Sequence, residues 1–138
     1  MEGKRVASHA VEVRFADIDA MGHVNNAVYL SYFEQARMAW FADLIGGTWN
    51  WETDGIVLAR NEIDYLEPVL LSDKVRIQTA CIKVGGSSMV LAYEVYRLSL
   101  GTREERLCTR GQSVLVCFDY TSGKKREVPQ VWRERLGV

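Results

Sequence analysis

A chain of 138 residues, 48% hydrophobic and 25% charged, has the size and composition of one globular domain with a real core. Its net charge of −1 supplies no field that would gather nucleic acid or anionic lipid, although it leaves room for a small basic patch around a phosphate-bearing ligand. No run approaches the length of a membrane-spanning helix, and "MEGKRVASHAVEVRF" turns polar and alternating before a secretory apolar core can form.

In chain order, residues 8–16, "SHAVEVRFA", set Val11, Val13 and Phe15 against Glu12 and Arg14, the alternation of a half-buried strand. The period then changes. Tyr29, Phe33, Ala36, Trp40 and Leu44 step by three or four, and Leu30, Met38, Phe41 and Ile45 make the other sides apolar too. Only Glu34, Gln35, Arg37 and Asp43 read as wet, so this helix is expected to be enclosed, with Gly46-Gly47 ending it. From about residue 55 the pattern is of strands. "GIVLARNEIDYLEP" stops at Pro68; "KVRIQTACIKV" sets Val75, Ile77 and Cys81 against Lys74, Arg76 and Gln78; "GGSS" (85–88) reads as a hairpin turn. "MVLAYEVYRLSL" and "RLCTRGQSVLVCF" are two more strands, and "PQVWRERL" forms a short terminal helix opening at Pro129.

One strand, one buried helix and four consecutive antiparallel strands make an α+β domain spanning 1–138. One helix cannot cover both faces of such a sheet. The simplest arrangement curls the sheet around the helix and covers the remainder by oligomerisation. Cys81, Cys108 and Cys117 are odd in number and lack C-x-x-C spacing, so they are expected to be buried thiols of a cytoplasmic protein.

Polar chemistry concentrates in "DIDAMGHVNN", residues 17–26, directly before the helix. Asparagine is a preferred helix cap, and Asn25 or Asn26 alone would be explained by capping. Capping needs one side chain, whereas five polar ones converge here. A helix start presents unpaired N–H groups and partial positive charge that polarise a carbonyl. A carboxylate beside it, such as Asp19, serves as nucleophile or general base. His23 either orients the acid or substrate, acts as a base, or is bonded structurally to backbone. The chain has no G-x-S-x-G elbow, H-E-x-x-H, clustered Cys/His, P-loop or dinucleotide-binding glycine pattern, and two histidines far apart make a poor metal site, so no metal is expected.

The run "RFADIDAMGHVNNAVYLSYFEQAR" closely resembles the start of the hotdog-fold acyl-CoA thioesterases of the 4-hydroxybenzoyl-CoA thioesterase-like group, and "GHVNN" resembles the corresponding stretch of acyl-carrier-protein thioesterases. "EIDYLEPVLLSDKVRI" extends the likeness over most of the chain. The resemblance implies a curved antiparallel sheet wrapped around one long central helix, and a homodimer or homotetramer (a dimer of dimers) with its active site between subunits. It implies hydrolysis of an acyl-CoA, or of an acyl-carrier-protein thioester, with no cofactor beyond the CoA carried by the substrate. The catalytic carboxylate falls on Asp19 and the carbonyl-polarising N–H near Asn26. In acyl-carrier-protein thioesterases the counterpart of His23 works with an asparagine two residues earlier, where this chain has Met21; that departure favours Asp19. Gly22 and Asn25 would complete the turn and helix start. Lys83, Ser87 and Ser88 would lie along the pantetheine arm and nucleotide, and Asn61 and Glu62 would line the acyl pocket. Two other readings stay open: a hotdog hydratase or dehydratase acting on an enoyl or hydroxyacyl thioester, and a non-catalytic acyl-CoA-binding module.

Overall fold

A computed structural model describes residues 1–138. Strands β1 (Lys4–Val11), β2 (Gly55–Tyr65), β3 (Lys74–Val84), β4 (Ser88–Leu98) and β5 (Glu105–Asp119) form one antiparallel sheet in the order β1-β3-β4-β5-β2, with the short β6 (Lys124–Lys125) added to β5. Helix α1 (Val28–Ile45) lies against the inner face, and α2 (Gln130–Leu136) closes one end. The expected α+β architecture, a curved sheet around one long helix, is the observed one.

The first strand differs from expectation. It runs from Lys4 to Val11, and the chain then turns through a short 3-10 helix, Phe15–Asp17. Val11 and Val13 are buried, but Phe15 is 84% exposed. β1 is an edge strand bonded only to β3, so its polar first half, KRVA, needs no apolar alternation to pair.

Helix α1 buries Tyr29, Tyr32, Phe33, Ala36, Trp40, Phe41, Leu44 and Ile45. Its start is held by Asn25, whose Oδ1 accepts the Ala27 N–H at 2.9 Å. Its end is the left-handed Gly46 (φ 71), a conformation that glycine adopts without Cβ strain. Arg135 of α2 donates to the carbonyls of Leu44 and Ile45, two acceptors that the helix leaves unpaired. Trp132 lies within 5.1 Å of both the Phe41 and Trp49 rings, so Trp40, Trp49, Trp51 and Trp132 anchor this closed end of the core. Cys81, Cys108 and Cys117 are free and buried; burial pushes the Cys108 and Cys117 thiols up to about 11, which leaves them unreactive.

The helix reaches the middle of the sheet through Phe33, which stacks on Tyr93 at 4.3 Å. That approach requires Gly111 beneath it. A Cβ at this position would lie 2.7 Å from the Phe33 ring and closer still to the Glu62 carbonyl oxygen. Gly111→Ala is expected to cost about 2 kcal/mol of stability, read as a fall in the urea midpoint with unchanged slope.

Candidate active site

The polar stretch before α1 folds as a tight turn. Asp19 N–H donates to the His23 carbonyl at 2.8 Å, Gly22 N–H returns to the Asp19 carbonyl at 3.0 Å, and Gly22 takes φ 78. One isolated bridge, Ile18 to Val24, closes the turn on itself, and a second, His23 to Leu70, fixes it against the segment preceding β3. Val24 N–H donates to the Val69 carbonyl at 2.9 Å. The turn is therefore locked to the sheet by backbone bonds, which leaves its side chains available.

The two aspartates have separate environments. Asp17 is 1% exposed and saturated: its carboxylate accepts from the Arg14 backbone N–H (2.9 Å), from Arg14 Nε and Nη2 (3.1 and 2.9 Å), and from the Tyr32 hydroxyl (2.7 Å). Burial alone would push this carboxyl up; the hydrogen bonds from Arg14 and Tyr32 and the Arg14 charge outweigh it and hold it below the usual carboxylate range. Asp17 pins the turn to α1. Asp19 is half-buried, and only its Oδ1 is engaged, accepting from Met21 N–H at 2.8 Å and His23 N–H at 3.3 Å. Its Oδ2 carries no protein hydrogen bond.

Asp19 shares a cleft of about 210 Å³ with His23, Asn26, Tyr29, Tyr65 and Glu67. Asn26 stands just outside the helix; its backbone N–H makes no hydrogen bond, while its carbonyl accepts from the Tyr65 hydroxyl at 2.7 Å. A free donor at a positive helix end beside a half-free carboxylate has the polarity needed to activate a carbonyl and to attack it. Asn25 points elsewhere, capping the helix through Ala27.

The cleft contains groups that pattern reading does not single out as site residues. Tyr29 is pushed up to about 12 and Tyr65 is raised, both by burial, so both present protonated hydroxyls. Glu67 is held ionised below its ordinary range, chiefly by its hydrogen bond from Arg106, with contacts of 2.7 and 3.0 Å. The signal available for Tyr65 and Glu67 is the polar "YLEP" at the end of a strand, which marks where β2 stops beside the turn. Tyr65→Phe removes the bond that fixes Asn26 and is expected to lower kcat roughly threefold to tenfold with the fold intact, as read by steady-state kinetics beside a thermal melt.

Other expected site residues lie apart. Asn61 faces inward from β2 and accepts from the Ser113 hydroxyl at 2.6 Å. Glu62 faces outward, where it pairs with Arg60 and Gln112. It borders a larger open groove of about 630 Å³, whose Asp64 and Arg110 pair with each other and which shares no lining residue with the Asp19 cleft. Lys83, Ser87 and Ser88 sit at the far end of β3 and β4, roughly 30 Å of strand from the Leu70–Asp73 end that holds the turn. The carbonyls of Gly85 and Gly86 in that hairpin are taken by Arg133. One protomer does not bring these three residues to Asp19.

Residues 13–136 match the family model of the thioesterase-like superfamily. A long-chain acyl-CoA thioesterase of Escherichia coli strain K12, FadM, is 29% identical over 129 residues, covering 91% of this chain and 93% of the relative. A thioesterase of Thermus thermophilus, solved with coenzyme A and zinc, superposes with a TM-score of 0.81 at 37% identity, covering 99% of this chain and 94% of that one. The fold is also that of 4-hydroxybenzoyl-CoA thioesterase from Pseudomonas sp. strain CBS-3 (TM-score 0.84, 19% identity, 95% and 99% covered).

Proposed function

The chain belongs to the thioesterase-like superfamily, and on that premise we propose that it hydrolyses acyl-CoA thioesters at the Asp19 cleft. The observation that carries this reading is the pairing, in one cleft, of a carboxylate with a free oxygen and a helix-start N–H with no acceptor. The thioester carbonyl oxygen accepts from the Asn26 N–H. Asp19 either attacks the carbonyl carbon directly or takes a proton from the water that does. The oxyanion so formed is held by the same N–H and the helix end. Its collapse breaks the C–S bond, and the CoA sulfur leaves and gains a proton; attack by water gives the free acid at once, whereas direct attack leaves an anhydride on Asp19 that a water then hydrolyses to free acid and the regenerated carboxylate. A thioester carbonyl is electrophilic enough that the reaction requires no metal or redox cofactor. His23 supports the turn and borders the substrate, Gly22 gives the turn its shape, and Asn25 fixes the helix start. An acyl-carrier-protein thioester presents the same reacting group and is the second substrate to try.

β2 is an edge strand with one side unpaired, which supports association of copies into a homodimer and, through the outer sheet face, a homotetramer. Lys83, Ser87 and Ser88 serve the CoA arm only if a second copy carries them to the cleft. A cytoplasmic location accords with free, buried cysteines.

The test is thiol release from a panel of aliphatic and aryl acyl-CoAs, with acyl-carrier-protein thioesters alongside. Multiple turnovers of free CoA from at least one thioester are expected. Conversion of an enoyl-CoA without thiol would make the protein a hydratase, and retention of intact acyl-CoA would make it a binding module.

A further inference from the structure

Between β2 and β3 the chain runs as a strap whose Leu66, Glu67 and Pro68 line the Asp19 cleft. The strap begins on β5, where the Cys108 carbonyl accepts the Leu66 and Glu67 N–H groups at 2.9 and 3.0 Å. Its middle carries the catalytic turn, because the Val69 carbonyl accepts the Val24 N–H and Leu70 bridges to His23. From Pro68 to Leu70 no main-chain hydrogen bond runs to a strand, and two side chains take that part instead.

Arg97 is one of them. It follows the buried Tyr93 and Val95 on the inner face of β4 and donates from Nη1 to the Pro68 carbonyl, and from Nη2 to the Ser99 hydroxyl at 3.2 Å. Asp73 is the other: its side chain is 1% exposed, and its Oδ2 accepts the Leu70 N–H at 2.9 Å. The guanidinium and the carboxylate face each other at 3.7 Å.

As a source of stability this pair is poor. The separation is long for a charged hydrogen bond, and Asp73 Oδ1 and Arg97 Nε are both buried without a partner. Apolar side chains of similar volume would match or exceed a buried ion pair so compensated. What the pair supplies is geometry. It grips the strap at the Pro68 carbonyl and the Leu70 N–H, on either side of the Val69 carbonyl that holds Val24. Val24 and Asp19 belong to the same turn, closed by the Ile18–Val24 bridge, so a displacement of Val69 is passed on to the Asp19 carboxylate.

We propose that Arg97 and Asp73 are positioning residues for thioester hydrolysis, which act through the strap to set the aim of Asp19 at the carbonyl held by the Asn26 N–H. Neither side chain lines the cleft, so neither touches the substrate. The inference rests on the thioesterase reading and extends its machinery to a second layer of the fold.

The experiment replaces the pair together, Arg97→Met with Asp73→Asn. Asparagine keeps an oxygen for the Leu70 N–H, and methionine removes the grip on Pro68 without leaving a buried charge alone, so the thermal melt is expected to stay near native. For an acyl-CoA that the native protein hydrolyses, kcat is expected to fall by on the order of tenfold to a hundredfold, with KM within about threefold. Amide exchange at Val24 should quicken while the amides of β4 keep their native protection. Arg97→Lys, which retains the charge and one donor, is expected to restore part of kcat, and it decides the matter by the same readouts should the double variant not fold. Native kcat in a folded variant overturns the proposal, and so does a rise in KM alone, which would make the strap only a wall for substrate. A fall in kcat with exchange accelerated equally throughout the sheet also overturns it, since the pair would then be holding the whole fold. Absence of thiol release by the native protein removes the thioesterase reading and this inference with it.

Discussion

Asp19→Asn is expected to lower kcat for thioester hydrolysis by on the order of a hundredfold or more while leaving the thermal melt within about a degree or two of the native protein. The asparagine side chain keeps the size of the carboxylate and retains an oxygen to accept from Met21 and His23, so the turn survives. What it loses is the negative charge on the oxygen that no protein group engages. Because the substitution spares the turn, the loss should appear in kcat, with KM little changed. Single-turnover measurements on the same variant distinguish a slow chemical step from slow release. Activity equal to native would remove Asp19 from the chemistry and turn attention to His23 in the same cleft.

The neighbouring aspartate predicts the opposite separation. Asp17→Ala is expected to cost about 3 kcal/mol of stability, because the buried Tyr32 hydroxyl and the Arg14 backbone N–H lose the acceptor they share. The native fold holds this carboxyl ionised more strongly than the unfolded chain does. Its contribution is therefore fully present above the unfolded-state value of about 4 and fades as pH falls through the lower folded-state value. Urea denaturation of both proteins across this range should show the gap between them widest at neutral pH and closing under acid. A gap independent of pH would mean that the loss arises from packing and not from charge. Activity of D17A should fall only as far as the folded fraction falls, unless the turn drifts from α1.

These two aspartates show how much is legible in the sequence. Asp-x-Asp ahead of a Gly turn and an aromatic helix marks the site, and the likeness it carries marks the fold. Which of the two carboxylates is free depends on Tyr32, more than ten residues away, and on the path of Arg14, neither of which spacing specifies. Arg37 reads as wet because a charged residue on a helix is ordinarily on its solvated face; it is buried here beside Tyr93, which comes from a strand far along the chain. Lys83, Ser87 and Ser88 are grouped with Asp19 by family likeness, and only the length of β3 reveals how distant they are within one subunit. Glu62 goes with Asn61 on the page because the two are adjacent, yet adjacency in a strand sends side chains to opposite faces.

The sheet order has a consequence for how the molecule comes together in time. β3, β4 and β5 are sequential neighbours joined by short turns, and pairing among them closes only small loops. β2 reaches β5 only across a long interval, with Gly55 opposite Phe118, and the cleft is sewn shut by the Tyr65–Asn26 and Val24–Val69 bonds, also between distant residues. Contacts of that kind carry the entropic cost of closing large loops, so they form late. A refolding chain should therefore regain the spectroscopic signature of its meander before it regains turnover. On the way down, mild denaturant should silence the enzyme while much of the sheet still stands.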